Sequence, residues 1–205
     1  MPAIRSQLLR VVRDAYPETF EALSPSKPLG ESVFGGPTPH PNEVLNLFVQ
    51  QKLTSALPVA YYMAARRGLD SLMDRRLPAS GRLPSETLRI AAGGLMALRE
   101  VELSETHHLI FGPRGSRPCP SSNCHSRAPT GPAALEVHQK VFDHIVGSSR
   151  SGTRVLQVPE FCEERYGVLV NAIPGVCSRC VERWGSGHAE LRRKVWGMLP
   201  DVFGL

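Results

Sequence analysis

The 205-residue sequence lacks a long apolar run and a recognisable secretion signal. Its longest nearly uninterrupted apolar stretch, Leu57–Ala65, is less than half of the ~20 residues that a membrane-spanning helix needs. The first residues, MPAIRSQLLRVVRD, are charged every few positions and lack the apolar centre and cleavage site of a signal peptide. These absences predict an intracellular protein, in the cytoplasm or the nucleus, with no membrane partner.

Catalytic signatures are missing as well. The sequence contains no G-x-S-x-G, H-E-x-x-H or G-x-G-x-x-G pattern, so it indicates no nucleophile elbow, zinc-protease helix or dinucleotide loop. The tripeptide His188-Ala189-Glu190 matches the H-x-E half of the zinc deaminase signature, but the C-x-x-C pair lies upstream of it instead of downstream. The sequence therefore predicts a protein that is not an enzyme.

Aromatic residues make up only 6% of the chain, and the net charge is a modest +5. The basic residues that stand out are Arg66, Arg67, Arg75 and Arg76 in one stretch and Arg192, Arg193 and Lys194 in another. Neither stretch is a run of five or six like charges, and no aromatic side chains that could stack on bases are interleaved with them. The pattern favours a solvated basic surface, with a nucleic-acid interface as the alternative.

Apolar residues recur at helical spacing in several segments, which predicts a mainly α protein. The predicted helices are Ala3 to Tyr16, a segment from Asn42, a segment from Pro58 to Gly68, a long segment from Pro84 to Gly112, Ala133 to Val146, and a last helix from the CSRC motif to Pro200. Gly93 and Gly94 in the long helix either permit a close helix contact or mark a break. Residues 160–171 carry both helix and strand signals.

The 18 prolines and 18 glycines are concentrated between these helices, in two loops. One loop covers Ser24 to Pro41 and the other covers Gly112 to Pro132. Such a composition does not form helix or sheet without outside support. We therefore predict an irregular helical domain with two long Pro/Gly-rich loops.

The five cysteines are an odd number for a disulfide framework, and cysteines of an intracellular protein are normally reduced. Four of them form two pairs, Cys119 with Cys124 in CPSSNC and Cys177 with Cys180 in CSRC. Pairs at such spacing let one turn present two thiolates to one Zn²⁺, which would clip the loop onto the last helix. The alternative is that the thiols pack as small apolar groups, which is also the better interpretation of Cys162.

Several stretches, taken in order, resemble the region that follows the BTB/POZ domain in fungal BTB-domain proteins. They are LTSALPVAYYMAARRGLDSL, RLPSETLRIAAGGLMALRE, the cysteine-bearing loop, CSRCVERW and LPDVFGL. The resemblance implies a helical post-BTB-type domain at 42–205, with the cysteine-pair loop at 112–132, preceded by an N-terminal helical segment at 1–30. It also implies two cysteine pairs at similar places. We expect the strand-rich BTB/POZ fold itself to be absent, so dimerisation through that fold does not carry over.

We expect a non-enzymatic module for protein–protein interaction or scaffolding. A structural Zn²⁺ would be held by Cys119, Cys124, Cys177 and Cys180, since four thiolates close the coordination shell and leave no position for a substrate. The expected partner is another protein. The alternative is a zinc-dependent nucleic-acid-binding protein that uses a basic helical surface.

Overall fold

The computed structural model describes residues 16, 19–20, 39–112, 118–119, 124, 131–147 and 173–205. Over these residues the protein is mainly helical and has no β-strand, which confirms the predicted fold class. Several predictions lie mostly or wholly outside the described residues. They are the N-terminal helical segment 1–30 with its first helix, the two Pro/Gly-rich loops, and the segment 160–171 with Cys162. Among the described helices, none has the length and apolar character that crossing a membrane requires.

Six α-helices are described, and five of them match the predicted segments. They are α1 (Pro41–Gln51), α2 (Leu57–Ala65), α3 (Leu69–Leu72), α4 (Ser85–Phe111), α5 (Pro132–Gly147) and α6 (Ser178–Val202), with short 3-10 helices at Thr54–Ala56 and Ala79–Gly81. The short helix α3 was not predicted.

The end of α6 corrects one prediction. The helix does not end at Pro200 but continues to Val202. Proline lacks only its own amide proton, and the amides that follow it still donate hydrogen bonds. The Phe203 amide donates to the Leu199 carbonyl at 3.2 Å, which closes a last turn around the proline.

Contacts within the chain divide it into two compact units. Of the described residues, those up to 98 and those of Trp196–Leu205 form the first unit, and those from 99 to 195 form the second. The core of the first unit centres on α1 and α2, because every residue from Val59 to Ala65 is buried and Phe48 of α1 is fully enclosed. Tyr16 packs edge-on against Phe48, with ring centroids 5.0 Å apart.

Two buried asparagines of α1 donate hydrogen bonds to backbone carbonyls of α3 and of the segment that follows it. The Asn42 amide group donates to the carbonyl of Ser71 at 3.1 Å. The Asn46 amide group donates to the carbonyls of Ser80 and Arg82 at 2.7 and 3.0 Å. Through these hydrogen bonds the buried asparagines of α1 hold α3 and the segment that follows it.

The adjacent glycines of α4 have opposite surroundings. Gly94 is buried, and a methyl group added there would overlap the ring carbons Cδ1 and Cε1 of Phe203. Phe203 is itself buried and stacks on Tyr61 with ring centroids 5.2 Å apart, so it has little room to shift. Gly93 is exposed and has no atom within 4 Å of its added methyl position. The helix is continuous here, so Gly94 permits a close contact and does not mark a break.

We expect Gly94→Ala to lower the free energy of unfolding by about 1–3 kcal/mol, because the new methyl group overpacks a closed site. The matched control is Gly93→Ala, which we expect to raise it by up to ~1 kcal/mol, since alanine favours helix more than glycine does. Urea unfolding followed by circular dichroism measures both. Equal effects of the two substitutions would contradict the contact with Phe203.

The core of the second unit is formed by α5, the later part of α4 and the earlier part of α6. Its buried members are Ile110, Cys119, Cys124, Val137, Val141, Ile173, Val176, Cys180 and Trp184. Trp184 is fully enclosed, and the ring of His138 packs edge-on against it with centroids 5.9 Å apart. Three of the four paired cysteines thus belong to the apolar core of this unit.

Candidate metal centre

Cys177 and Cys180 lie at the start of helix α6. A tight turn precedes them, in which the Val176 amide donates to the Ile173 carbonyl at 3.2 Å and Gly175 has a positive φ of 88°. Glycine adopts that conformation without a steric penalty. The Cys180 amide then donates to the Cys177 carbonyl at 3.0 Å, so the first helical turn fixes the spacing of the two thiols. The predicted start of the helix at CSRC is confirmed.

The structure brings all four paired cysteines together. Their sulfur atoms lie within 4.8 Å of one another, although the two pairs are far apart in sequence. The Sγ atoms of Cys119 and Cys177 are 3.3 Å apart, and those of Cys124 and Cys180 are 3.5 Å apart. A disulfide bond is about 2.05 Å long, so the four are free thiols in direct contact. Cys119 and Cys124 therefore each make a non-covalent sulfur contact with a cysteine at the start of α6.

Burial isolates three of the four sulfurs from solvent. Cys119, Cys124 and Cys180 are buried among the apolar side chains of the second unit, whereas Cys177 is half-buried at the edge of the cluster. An ion at the centre of these sulfurs would be shielded from water on most sides. That environment is typical of a structural metal site, in which protein ligands fill the whole coordination shell.

The electrostatics of the cluster favour one negative charge but not four. Burial opposes ionisation of the Cys177 thiol, but hydrogen bonds from the Cys180 amide and from the neighbouring thiols outweigh it and lower the pKa of Cys177 to about 7. Burial raises the pKa of the Cys180 thiol, and the nearby sulfurs of Cys124 and Cys177 raise it further. Four thiolates at this spacing need a cation between them.

Arg183 adds a positive charge to the cluster. Its Nη2 atom donates to the Cys180 Sγ atom at 3.6 Å, and its charge opposes the rise in the Cys180 pKa. A divalent ion with four thiolates carries a net charge of −2, so a guanidinium beside one sulfur offsets part of it. Sequence analysis missed this residue. Its position one helical turn after Cys180 was the available signal.

None of the histidine side chains that the structure describes joins the cysteines. His138 is buried between aromatic rings, and burial lowers its pKa. His188 is buried in α6. Among the described residues, the four cysteines form the one group of three or more His, Cys, Asp or Glu side chains that could hold a metal ion.

The basic residues predicted as an alternative nucleic-acid surface are not all at the surface. Arg192 is buried, with only 3% of its surface exposed, so it is not part of a solvated basic face as predicted. Lys194 forms an ion pair with Glu105 at 2.5 Å. Arg67, Arg75 and Arg76 are exposed in the first unit. Residues 192–194 therefore do not form the uniformly exposed basic surface that their sequence indicates.

No protein-family model, curated protein or solved structure matches this chain. The resemblance to the region after fungal BTB/POZ domains accordingly stays a prediction. The chemistry of the site follows from its own residues: four sulfur donors, a shielded centre and a neighbouring guanidinium. Such a donor set holds a soft or borderline cation and excludes the oxygen-seeking ions Mg²⁺ and Ca²⁺.

Proposed function

We propose that Cys119, Cys124, Cys177 and Cys180 bind one structural Zn²⁺. A tetrahedron with zinc–sulfur distances of about 2.3 Å has sulfur–sulfur edges of about 3.8 Å. The four sulfurs lie within 4.8 Å of one another, so shifts of a fraction of an ångström to about 1 Å complete that tetrahedron. This proximity of cysteines from two distant segments is the observation that carries the proposal.

Zinc is the metal that fits best. Tetrahedral sites of four sulfurs hold zinc or iron, and zinc needs neither a redox partner nor inorganic sulfide. The spacing of Cys177 and Cys180 across the first turn of a helix presents two thiolates on one side of the ion. The segment of Cys119 and Cys124 supplies the other two, so the ion would join that segment to α6.

We also infer that the protein is a non-enzymatic module for interaction or scaffolding, related to the helical region that follows fungal BTB/POZ domains. A shell of four thiolates leaves no open position at which a substrate could bind the metal. Met73 and Met96 are each more than half exposed, and methionine is enriched in interfaces between proteins. The need for reduced thiols favours the cytoplasm or the nucleus.

Metal analysis of the purified protein tests the zinc site. We expect about one equivalent of zinc in the reduced protein and an almost complete loss of zinc in Cys177→Ser, because a hydroxyl is a poor zinc ligand. The matched control is Cys162→Ser, which removes the fifth thiol and should keep the zinc. Cys177 is half-buried, so its replacement by serine disturbs the apolar core less than replacement of the buried cysteines would.

Four outcomes would contradict the proposed zinc site or the proposed scaffold function. A reduced protein without zinc, or equal zinc content in Cys177→Ser and Cys162→Ser, would exclude the four-cysteine site. If the purified protein contains iron and shows a visible charge-transfer spectrum, the site is an iron centre and not a zinc site. Binding of duplex DNA with a steep dependence on salt would favour the nucleic-acid alternative over the scaffold.

A further inference from the structure

The four sulfurs make two contacts that cross between distant segments. Cys119 meets Cys177 at 3.3 Å, and Cys124 meets Cys180 at 3.5 Å. Each contact therefore joins one sulfur of the loop segment to one sulfur at the start of α6. Formation of a disulfide from either contact requires the sulfurs to approach by little more than 1 Å.

Access of solvent to the four sulfurs is uneven. Cys177 is half-buried, whereas Cys119, Cys124 and Cys180 expose 1–3% of their surface. A small oxidant that arrives from solvent thus reaches Cys177 first. The Cys119 sulfur lies 3.3 Å from that of Cys177 and can act as the resolving thiol, which attacks the oxidised sulfur.

We propose that the four-cysteine site is a redox switch. A peroxide converts the zinc-bound thiolates into two disulfides that cross between the loop segment and α6, Cys119–Cys177 and Cys124–Cys180. The proposal rests on the zinc site described under the proposed function. In the reduced state zinc joins the loop segment to α6. In the oxidised state covalent bonds join the same segments, and the zinc is released.

The chemistry balances with hydrogen peroxide as the oxidant. The Cys177 thiolate attacks one peroxide oxygen, the O–O bond breaks, and a sulfenic acid and hydroxide form. The Cys119 thiolate then attacks the sulfenic sulfur, which forms the S–S bond and expels a second hydroxide. A second peroxide oxidises Cys124 and Cys180 in the same way. Each disulfide sulfur has lost its negative charge, so Zn²⁺ loses its ligands and leaves.

The crossing disulfides are compatible with the backbone of α6. The amides of Cys180 and Val181 both donate to the Cys177 carbonyl, at 3.0 and 3.2 Å, and hold the first turn of the helix. The crossing bonds use sulfur contacts that already exist and leave this turn in place. They also keep Cys119 and Cys124 against the apolar core that surrounds Trp184.

Peptide mapping after oxidation distinguishes the pairings, and Cys162→Ser is the protein to use because it has no fifth thiol. Trypsin cleaves after Arg179 and so separates Cys177 (peptide 166–179) from Cys180 (peptide 180–183), whereas Cys119 and Cys124 share peptide 115–127. We expect zinc-loaded protein treated with hydrogen peroxide to release its zinc and to yield all three peptides in one disulfide-linked species. Fragmentation of that species should assign Cys119 to Cys177. Reduction by a dithiol should restore zinc binding.

Linkage of peptide 166–179 to 180–183 alone, with an internal disulfide in 115–127, would overturn the proposal. Retention of zinc and of four reduced thiols in excess peroxide would overturn it as well. If the reduced protein holds no zinc before oxidation, the proposed function fails together with the zinc-release step, and the peptide map still decides the pairing. The two failures are therefore distinguishable in one sample.

Discussion

Removing zinc from the reduced protein with a chelator is expected to unfold the second unit while the first unit stays folded. A structural zinc contributes on the order of 10 kcal/mol to folding, which is comparable to the whole stability of a small domain. The proposed zinc ligands Cys119, Cys124 and Cys180 belong to the same buried cluster as Val137, Val141 and Trp184. Loss of the ion leaves sulfurs that repel one another or must bind protons, and the cluster loses the link between its segments.

Hydrogen exchange measured by mass spectrometry tests this expectation for each unit separately. After chelation, the amides of Val137, Val141 and Trp184 should exchange freely. The amides of Leu45 and Tyr62, which lie in the buried core of the first unit, should keep their protection and serve as the internal control. If the amides of Val137 and Trp184 stay protected in protein shown to be free of zinc, the second unit folds without the ion and the expectation is wrong.

Trp184→Ala is expected to lower the free energy of unfolding of the second unit by about 3–5 kcal/mol in the presence of zinc. The side chain is fully enclosed, and it contacts a core that includes Cys180 and the ring of His138. Truncation removes its apolar surface from the core and leaves a cavity that the helices cannot fill without moving. Denaturant unfolding followed by circular dichroism measures the loss.

Met96→Ala is the control for this truncation. Met96 is also large and apolar, but 64% of it is exposed, so its removal should change the free energy of unfolding by no more than about 0.5 kcal/mol. A second comparison uses Trp184→Phe, which keeps an aromatic ring. Its free energy of unfolding should fall by less than that of the alanine variant. Similar losses for Trp184→Ala and Met96→Ala would contradict the central place of Trp184 in the core.

The helices were predictable because their apolar residues recur at the helical period and their ends carry proline and glycine. Pro41, Pro58 and Gly112 mark helix ends both in the sequence and in the structure. Pro200 misled the prediction, because a proline in the last turn removes one hydrogen bond and leaves those that follow it. The helical period predicts which face is buried but not which polar residues that face includes.

Buried polar side chains were the part that the sequence did not reveal. Arg192 was predicted to lie on a basic surface because charged residues are rarely buried, yet it is enclosed in α6. Asn42 and Asn46 gave no signal, since their role depends on carbonyl groups about thirty residues further along the chain. Such contacts depend on how segments meet in three dimensions, which periodicity does not encode.

The two cysteine pairs were evident in the sequence, but their meeting in one cluster was not. The spacing within each pair indicated that one turn could present two thiols, and this much depends on local structure alone. Whether the two pairs meet depends on how the chain between them returns to α6. The structure supplies that step by placing the four sulfurs within 4.8 Å.

The distance in sequence between the paired contacts sets the order in which the site is made. Cys119 precedes Cys177 by 58 residues, and Cys124 precedes Cys180 by 56. At a synthesis rate of about 5–20 residues per second, the first two cysteines leave the ribosome roughly 3–12 s before the sulfurs that they contact. During that interval a nascent chain offers two of the four ligands. If the proposed zinc site forms, full coordination of the ion therefore waits until α6 has been synthesised.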